Sequence, residues 1–216
     1  MKNLLIIFII ALVFTSCNND DYLIDGGVSN AEVGKSTLTY LKSHPQLDTF
    51  AILLDRAGLA STVEGETTVF VANNLSINRY VDAILTELRE EDPTATYTID
   101  DIPQDTLKKY MGGYIFEGKI TREDLKKEGK VYTALNGEQH RLSLEPVSSG
   151  RISYSGNLSN PPEYVYFTYK GGSDWDAWDK ISDDTKIIIR TSNLISTNGM
   201  IHVLQGTHVL FNYKSK

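Results

Sequence analysis

The chain has 216 residues, 41% of them hydrophobic, with 28 acidic against 21 basic side chains and a formal net charge of −7. That length is enough to enclose one core or two small ones. The negative balance, with no basic run, argues against nucleic acid and against charge-driven binding to anionic membranes, and a single cysteine leaves no internal disulfide.

At the N-terminus, Lys2 precedes an apolar run from Leu4 to Phe14, followed by Thr15, Ser16 and Cys17. A basic start, a short apolar run and small residues describe a secretory signal over 1–16. The run is too short to cross ~30 Å of hydrocarbon at about 1.5 Å per residue. Cysteine directly after Ser16 fits a bacterial lipoprotein box, in which Cys17 becomes the lipidated first residue. Membrane attachment is therefore expected through lipid on Cys17, in the cell envelope, with the outer membrane and a surface-exposed position as the expected location. Residues 17–38 read as the lipidated cysteine and a polar, aperiodic tether. Asp20-Asp21 resembles signals that sort some lipoproteins to the cell surface. Gly34-Lys35-Ser36 is no phosphate loop, because Ser29 stands where the first glycine is needed.

Ser36 is placed to cap a short helix ending near His44. A second helix is expected over 46–57, with Leu47, Phe50, Leu54 and Ala57 on one face and Gly58 at its end. Val69 to Ala72 reads as a strand, and Asn74 or Ser76 as the cap of a helix whose apolar stripe is Ile77, Val81, Ile84 and Leu88. Leu107 to Met111 reads as helix and Tyr114 to Phe116 as strand. Thr121 to Asp124 has the form of a capping box. Val131 to Leu135 and His140 to Leu144 are expected to pair around Asn136-Gly137. The last stretch, 187–211, reads as three strands. The first is the β-branched run Ile187 to Ile189, expected to be covered on both faces. The second follows an Asn198-Gly199 turn of the kind that needs positive φ, and the third is Val209 to Phe211.

Two of these stretches resemble the signatures of fasciclin-like domains. Thr68-Val69-Phe70-Val71-Ala72-Asn73-Asn74 is similar to the N-terminal pattern T-V-F-A-P-T-N, with Ala72 in place of proline. Thr197 to Leu204 is similar to the C-terminal pattern S-N-G-x-I-H-x-I. Leu47 to Val63 resembles the family's opening helix. A Tyr-His pair of the family falls, by spacing to Gly118, on Gly113-Tyr114, so functions tied to that histidine do not carry over. The resemblance implies an α+β fold: a single fasciclin-like domain over 39–213, a twisted β-wedge with helices packed alongside. It implies adhesion or extracellular protein interaction, no catalysis and no cofactor, with a protein or glycan at the cell exterior as partner.

Residues 147–186 make a longer connection than the family usually has, and they are expected to form an inserted hairpin and a helical turn on the surface. They gather Tyr154, Tyr164, Tyr166, Tyr169, Trp175 and Trp178 among acidic residues. Alternation places Tyr164 and Tyr166 on one strand face, with Val165 and Phe167 on the other. A helix started by Ser173 would stack Trp175, Trp178 and Ile181 at helical spacing and solvate the aspartates. Tyr164, Tyr166, Trp175 and Trp178 are the candidate partner-binding residues, because Tyr and Trp are enriched where surfaces bind. The alternative is a glycan-binding surface built from the same aromatics, and a glycosidase-type enzyme stands third. Asp174 and Asp176 are spaced like calcium-loop ligands, but Trp178 and Asp179 break the pattern, so no metal is expected. No H-E-x-x-H and no G-x-S-x-G occurs. His202 is expected to be a packed, hydrogen-bonded strand residue.

Overall fold

The computed structural model describes residues 30–146 and 162–213. The expected signal segment, Cys17, the Asp20-Asp21 pair and Tyr154 lie outside the described residues.

From Glu32 onward the chain forms one unit. Residues 32–35, expected as tether, run beside the end of the sheet: Val33 N–H donates to the Ile195 carbonyl, and Thr197 N–H to the Lys35 carbonyl. Helix α1 (Thr37–Ser43) follows, its first turn capped by the Ser36 hydroxyl on the Thr39 N–H. Helix α2 (Asp48–Ala57) buries Phe50, Leu53 and Leu54 and stops at Gly58, whose φ of 76° is open to glycine without strain. A single turn, α3 (Ala60–Val63), leads into strand β1 (Thr67–Val71), every residue of which is buried. Helix α4 (Asn74–Glu91) is capped by Asn73, one residue before the expected position. The Asn73 side chain accepts the Ser76 N–H at 3.0 Å. Along α4 the burial fades: Ile77 and Tyr80 are in the core, Val81 and Ile84 half-buried, and Leu88 is 42% exposed. Helix α5 (Gln104–Tyr110) then delivers the chain to the short strand β2 (Ile115–Glu117).

Five more strands complete one sheet: β3 (Lys130–Thr133), β4 (Gln139–Pro146), β5 (Glu163–Tyr169), β6 (Thr185–Ile195) and β7 (Met200–Leu204). Their order is β2-β1-β7-β6-β5-β4-β3, with only β1 and β7 parallel. The sheet curls until its two edges approach. Leu135 N–H, just after β3, donates to the Ile115 carbonyl of β2 at 2.8 Å, and Phe116 meets Tyr132 edge to face. The result is α+β and nearly a barrel. Phe70, Phe116, Phe167 and His202 fill its inner face, and α2 packs Phe50 against Tyr114.

Three sequence expectations change here. The connection over 147–186 is not an appendage. Strand β5 sits between β4 and β6, with Val165 and Phe167 buried in the common core, and the following loop lies outside the sheet. The helical turn at Ser173 does not form. Residues 170–184 fold back as a loop in which an Ala177–Lys180 bridge encloses Trp178 and Asp179, and Ile181 is 52% exposed. The physical reason is Asp176, whose carboxylate gathers the backbone N–H groups of Ser182, Asp183 and Asp184 and closes a wide loop that no helix could accommodate. Third, Val209 to Phe211 is not a strand. Both sides of β7 are taken by β1 and β6, so the chain turns away in a short 3-10 turn (Leu210–Asn212).

The turn between β6 and β7 also differs in mechanism. Neither Asn198 nor Gly199 has positive φ. Gly199 is needed for space, because a β-carbon there would overlap the Thr67 carbonyl oxygen of β1. Asn198 acts through its side chain: Oδ1 accepts the Thr37 N–H at 2.8 Å, and Nδ2 donates to the carbonyls of Val63 and Gly65 at 2.8 and 2.9 Å. One amide thus joins α1, α3 and the turn.

Candidate binding sites

His202 lies on the inner face of β7, fully buried and stacked on Phe70 at 4.8 Å. Its Nε2 donates to the Ile120 carbonyl at 2.8 Å, and its Nδ1 accepts the Asn193 N–H at 3.4 Å. Asn193 takes the positive φ of a bulge in β6, a conformation asparagine tolerates, and its own side chain holds Arg122 N–H and the Glu123 carboxylate. Burial lowers the His202 imidazole to about 4, so it is neutral, and both ring nitrogens are used. This is the packed strand histidine expected from the sequence.

A second group of histidines is arranged differently. His140 opens β4, and its ring packs on Phe167 and, edge-on, on Tyr169. It is 2% exposed, yet among the described residues neither ring nitrogen has a hydrogen-bond partner; the Glu138 carboxylate is 3.8 Å from Nε2, beyond hydrogen-bond reach. His208, in the turn after β7, bonds the Tyr114 hydroxyl through Nε2 at 2.9 Å and leaves Nδ1 unpartnered. Burial is the first cause, and the neighbouring His140 the second, of a His208 imidazole lowered to about 3. The same Tyr114 hydroxyl accepts the Phe211 N–H at 2.7 Å. That bond anchors the C-terminal turn, in which Phe211 and Asn212 take φ of 62° and 51°, a strained value for the bulky Phe211 and one that asparagine tolerates. The sequence position that lacks the family histidine, Tyr114, thus meets a histidine in space from the other end of the chain. Gly113 before it is required by crowding, since a β-carbon would press on the Glu138 carboxylate.

These groups border a pocket of about 510 Å³. Tyr80 of α4, Tyr110 of α5, Tyr114, Tyr169 of β5 and Phe211 supply aromatic walls. His140 and Asn212 supply buried polar atoms, while Glu138 and Lys170 stand at the rim. Tyr114 and Tyr169 are fully enclosed hydroxyls that face each other, and burial raises both well above the ordinary phenol value. No local motif announces this pocket, because its residues come from five separate parts of the chain. Only the abundance of tyrosine, 12 in 216 residues, hints at it.

The residues named from sequence lie elsewhere, on the outer face of the same sheet and in the loop that covers it. Tyr164 and Tyr166 share that face and are half-buried, as alternation requires. Beside them are two ion pairs that the loop shields from water. Lys186 Nζ meets Glu145 at 2.6 Å and also donates to the Trp178 carbonyl, and Arg141 meets Asp184 at 3.5 Å. Trp175 and Trp178 are half-buried, and cations already stand over their rings: Arg141 and Lys170 over Trp175, Lys127 over Trp178, with Lys186 over Tyr166. The four residues therefore share a region but form no flat aromatic platform. Asp176, Asp183 and Asp184 converge, but the oxygens of Asp176 and Asp184 are engaged by backbone N–H groups and by Arg141, which is the work of a loop clasp. Cys17 lies outside the described residues. Among the described residues no helix is long and apolar enough to cross a membrane.

The family model of the fasciclin domain matches residues 45–207. Among solved structures, the chain is similar to a FAS1 domain pair from the insect cell adhesion molecule Fasciclin I, with 14% identity and a TM-score of 0.46. The likeness covers 79% of this chain and 49% of that one, so the chain spans about half the length of that domain pair. No curated protein sequence matches it.

Proposed function

The chain belongs to the fasciclin-domain family, and from that premise we propose that it is a lipid-anchored, extracytoplasmic adhesion module that binds a protein partner without catalysis. Fasciclin domains are typically adhesion and protein-interaction modules, often extracellular or surface-associated. The anchor is the lipid on Cys17, reached through the polar stretch that ends at Glu32. The observation that carries the partner reading is the loop over 170–184. It is clasped into one shape by Asp176 and Asp184, and it holds Trp175 and Trp178 partly in solvent above a face of buried ion pairs. A rigid loop with half-exposed tryptophans loses little entropy on docking and suits protein recognition.

Two experiments test the reading. Intact-mass analysis of membrane-extracted protein is expected to show lipid on Cys17, and Cys17→Ala is expected to release the protein; an unmodified form cut before another residue rejects the anchor. Deleting the whole connection would remove β5, so point changes are required. Trp178→Ala is expected to weaken adhesion to matrix proteins and whole cells by about 1–2 kcal/mol with little loss of stability. Full adhesion with both Trp175 and Trp178 replaced rejects the loop as the contact surface.

A further inference from the structure

We infer that the pocket bounded by α4, α5, the start of β4, the end of β5 and the C-terminal turn is a binding site for an uncharged polyhydroxylated ring, a sugar unit either free or at the end of a glycan chain. The inference does not rest on the adhesion reading: neither Trp175 nor Trp178 lines the pocket, and Lys170 is the residue common to its rim and the loop.

Three observations select this chemistry. The first is unused hydrogen-bonding capacity. Both nitrogens of His140 and the Asn212 Oδ1 are buried at the pocket with no partner, and His208 Nδ1 is left open behind Tyr169, on which its ring stacks. Buried polar atoms are nearly always paired, so such a concentration marks a place where a ligand or water completes the set. A neutral imidazole offers one donor and one acceptor, and an amide oxygen accepts, which matches hydroxyl groups that both donate and accept. An apolar ligand would leave these atoms unpaired. The second observation is charge. The charged groups at the pocket, Glu138 and Lys170, are of opposite sign and leave no net field to select an ion. The third is the wall. Tyr110 and Phe211 supply aromatic wall suited to the apolar C–H face of a pyranose. The volume of about 510 Å³ lies within the range of about 300–1,000 Å³ that small-ligand pockets occupy. The positive φ of Phe211, held by the bond to Tyr114, places strained backbone at the rim, where strain commonly accompanies binding.

The test is saturation-transfer NMR on the full chain with glucose, galactose, N-acetylglucosamine, maltose and lactose, and with choline and p-cresol as cationic and apolar rings. Transfer to at least one sugar is expected. It should be reduced about tenfold in apparent affinity in His140→Phe, which removes the polar atoms but no existing hydrogen bond. A second variant, Asn212→Gly, relieves the positive φ and removes only the amide. It is expected to fold and to bind more weakly. Transfer to monosaccharides assigns a free sugar, and transfer to the terminal ring of the disaccharides alone assigns a chain end. Transfer to choline or p-cresol but to no sugar, transfer to none of the probes, or sugar binding unchanged in both variants overturns the assignment.

Discussion

The seam where β1 meets β7 and the pocket at the start of β4 are both lined by buried histidine and aromatic rings, yet they are built on opposite rules. At the seam both nitrogens of His202 have partners, and the Thr67 hydroxyl is the buried polar atom there without one among the described residues. Ile120 and Asn193 take the imidazole, Asn198 ties two helices to the turn, and the Gly199 backbone packs directly on Thr67. At the pocket His140 has no hydrogen-bond partner, His208 keeps one nitrogen open, and the backbone at Phe211 is strained. A fully paired buried group rigidifies a scaffold, whereas an unpaired one is a standing cost, and the pocket gathers several of them in one place. The contrast separates the part of the molecule that builds the fold from the part available for binding.

The largest expected effect breaks the seam. Gly199→Val must push β1 and β7 apart, because its side chain begins inside the Thr67 carbonyl. A loss of ~3 kcal/mol or more is expected in urea unfolding. A midpoint within error of the parent would show that the turn has room to spare.

The pH response comes next. His202 and His208 fall from 6.5 to about 4 and about 3 on folding. Below pH 6.5 the unfolded chain therefore binds protons that the folded chain refuses. Stability is full above that pH and declines as pH falls toward the folded values. His202 accounts for on the order of 3 kcal/mol and His208 for on the order of 5 once the folded value of each is reached. Asp176 works in a separate window. Hydrogen bonds from Ser182 and Asp184 lower it to about 2, so its stabilisation is present above about 3.8 and is lost as pH falls toward 2. Urea midpoints between pH 7.5 and 4.5 are expected to decline, and a flat profile would reject neutral burial of these rings.

The smallest effects sharpen the comparison most directly. His202→Phe leaves the Ile120 carbonyl and the Asn193 N–H without partners and is expected to cost about 2 kcal/mol. His140→Phe removes no hydrogen bond and keeps the stack on Phe167, so it is expected to stay within about 1 kcal/mol of the parent. Calorimetric melting of the two variants side by side measures the difference. Equal costs would erase the distinction between the regions.

Much of the fold was legible in the chain. Helix faces at 3.6-residue spacing, the Ser36 and Gly58 ends of α1 and α2, the Asn136-Gly137 hairpin and the two family signatures are local patterns. Local backbone and side-chain preferences are enough to write them. Periodicity also assigned the faces of β5 correctly, with Val165 and Phe167 inward. Tertiary structure decided what local pattern could not. Whether β5 is an appendage or a central strand depends on whether the strands before and after it, β4 and β6, both take its edges, and the alternation within β5 is the same in either case. Asn198-Gly199 carries the same letters whether glycine is needed for positive φ or for clearance against Thr67, and only the approach of β1 tells which. Trp175 and Ile181 have helical spacing, but three N–H groups drawn to Asp176 outweigh it. The pocket is the extreme case. Tyr80, Tyr110, His140, Tyr169 and Phe211 meet only because the sheet curls and its last strand has no free edge, so the chain must turn back across the opening.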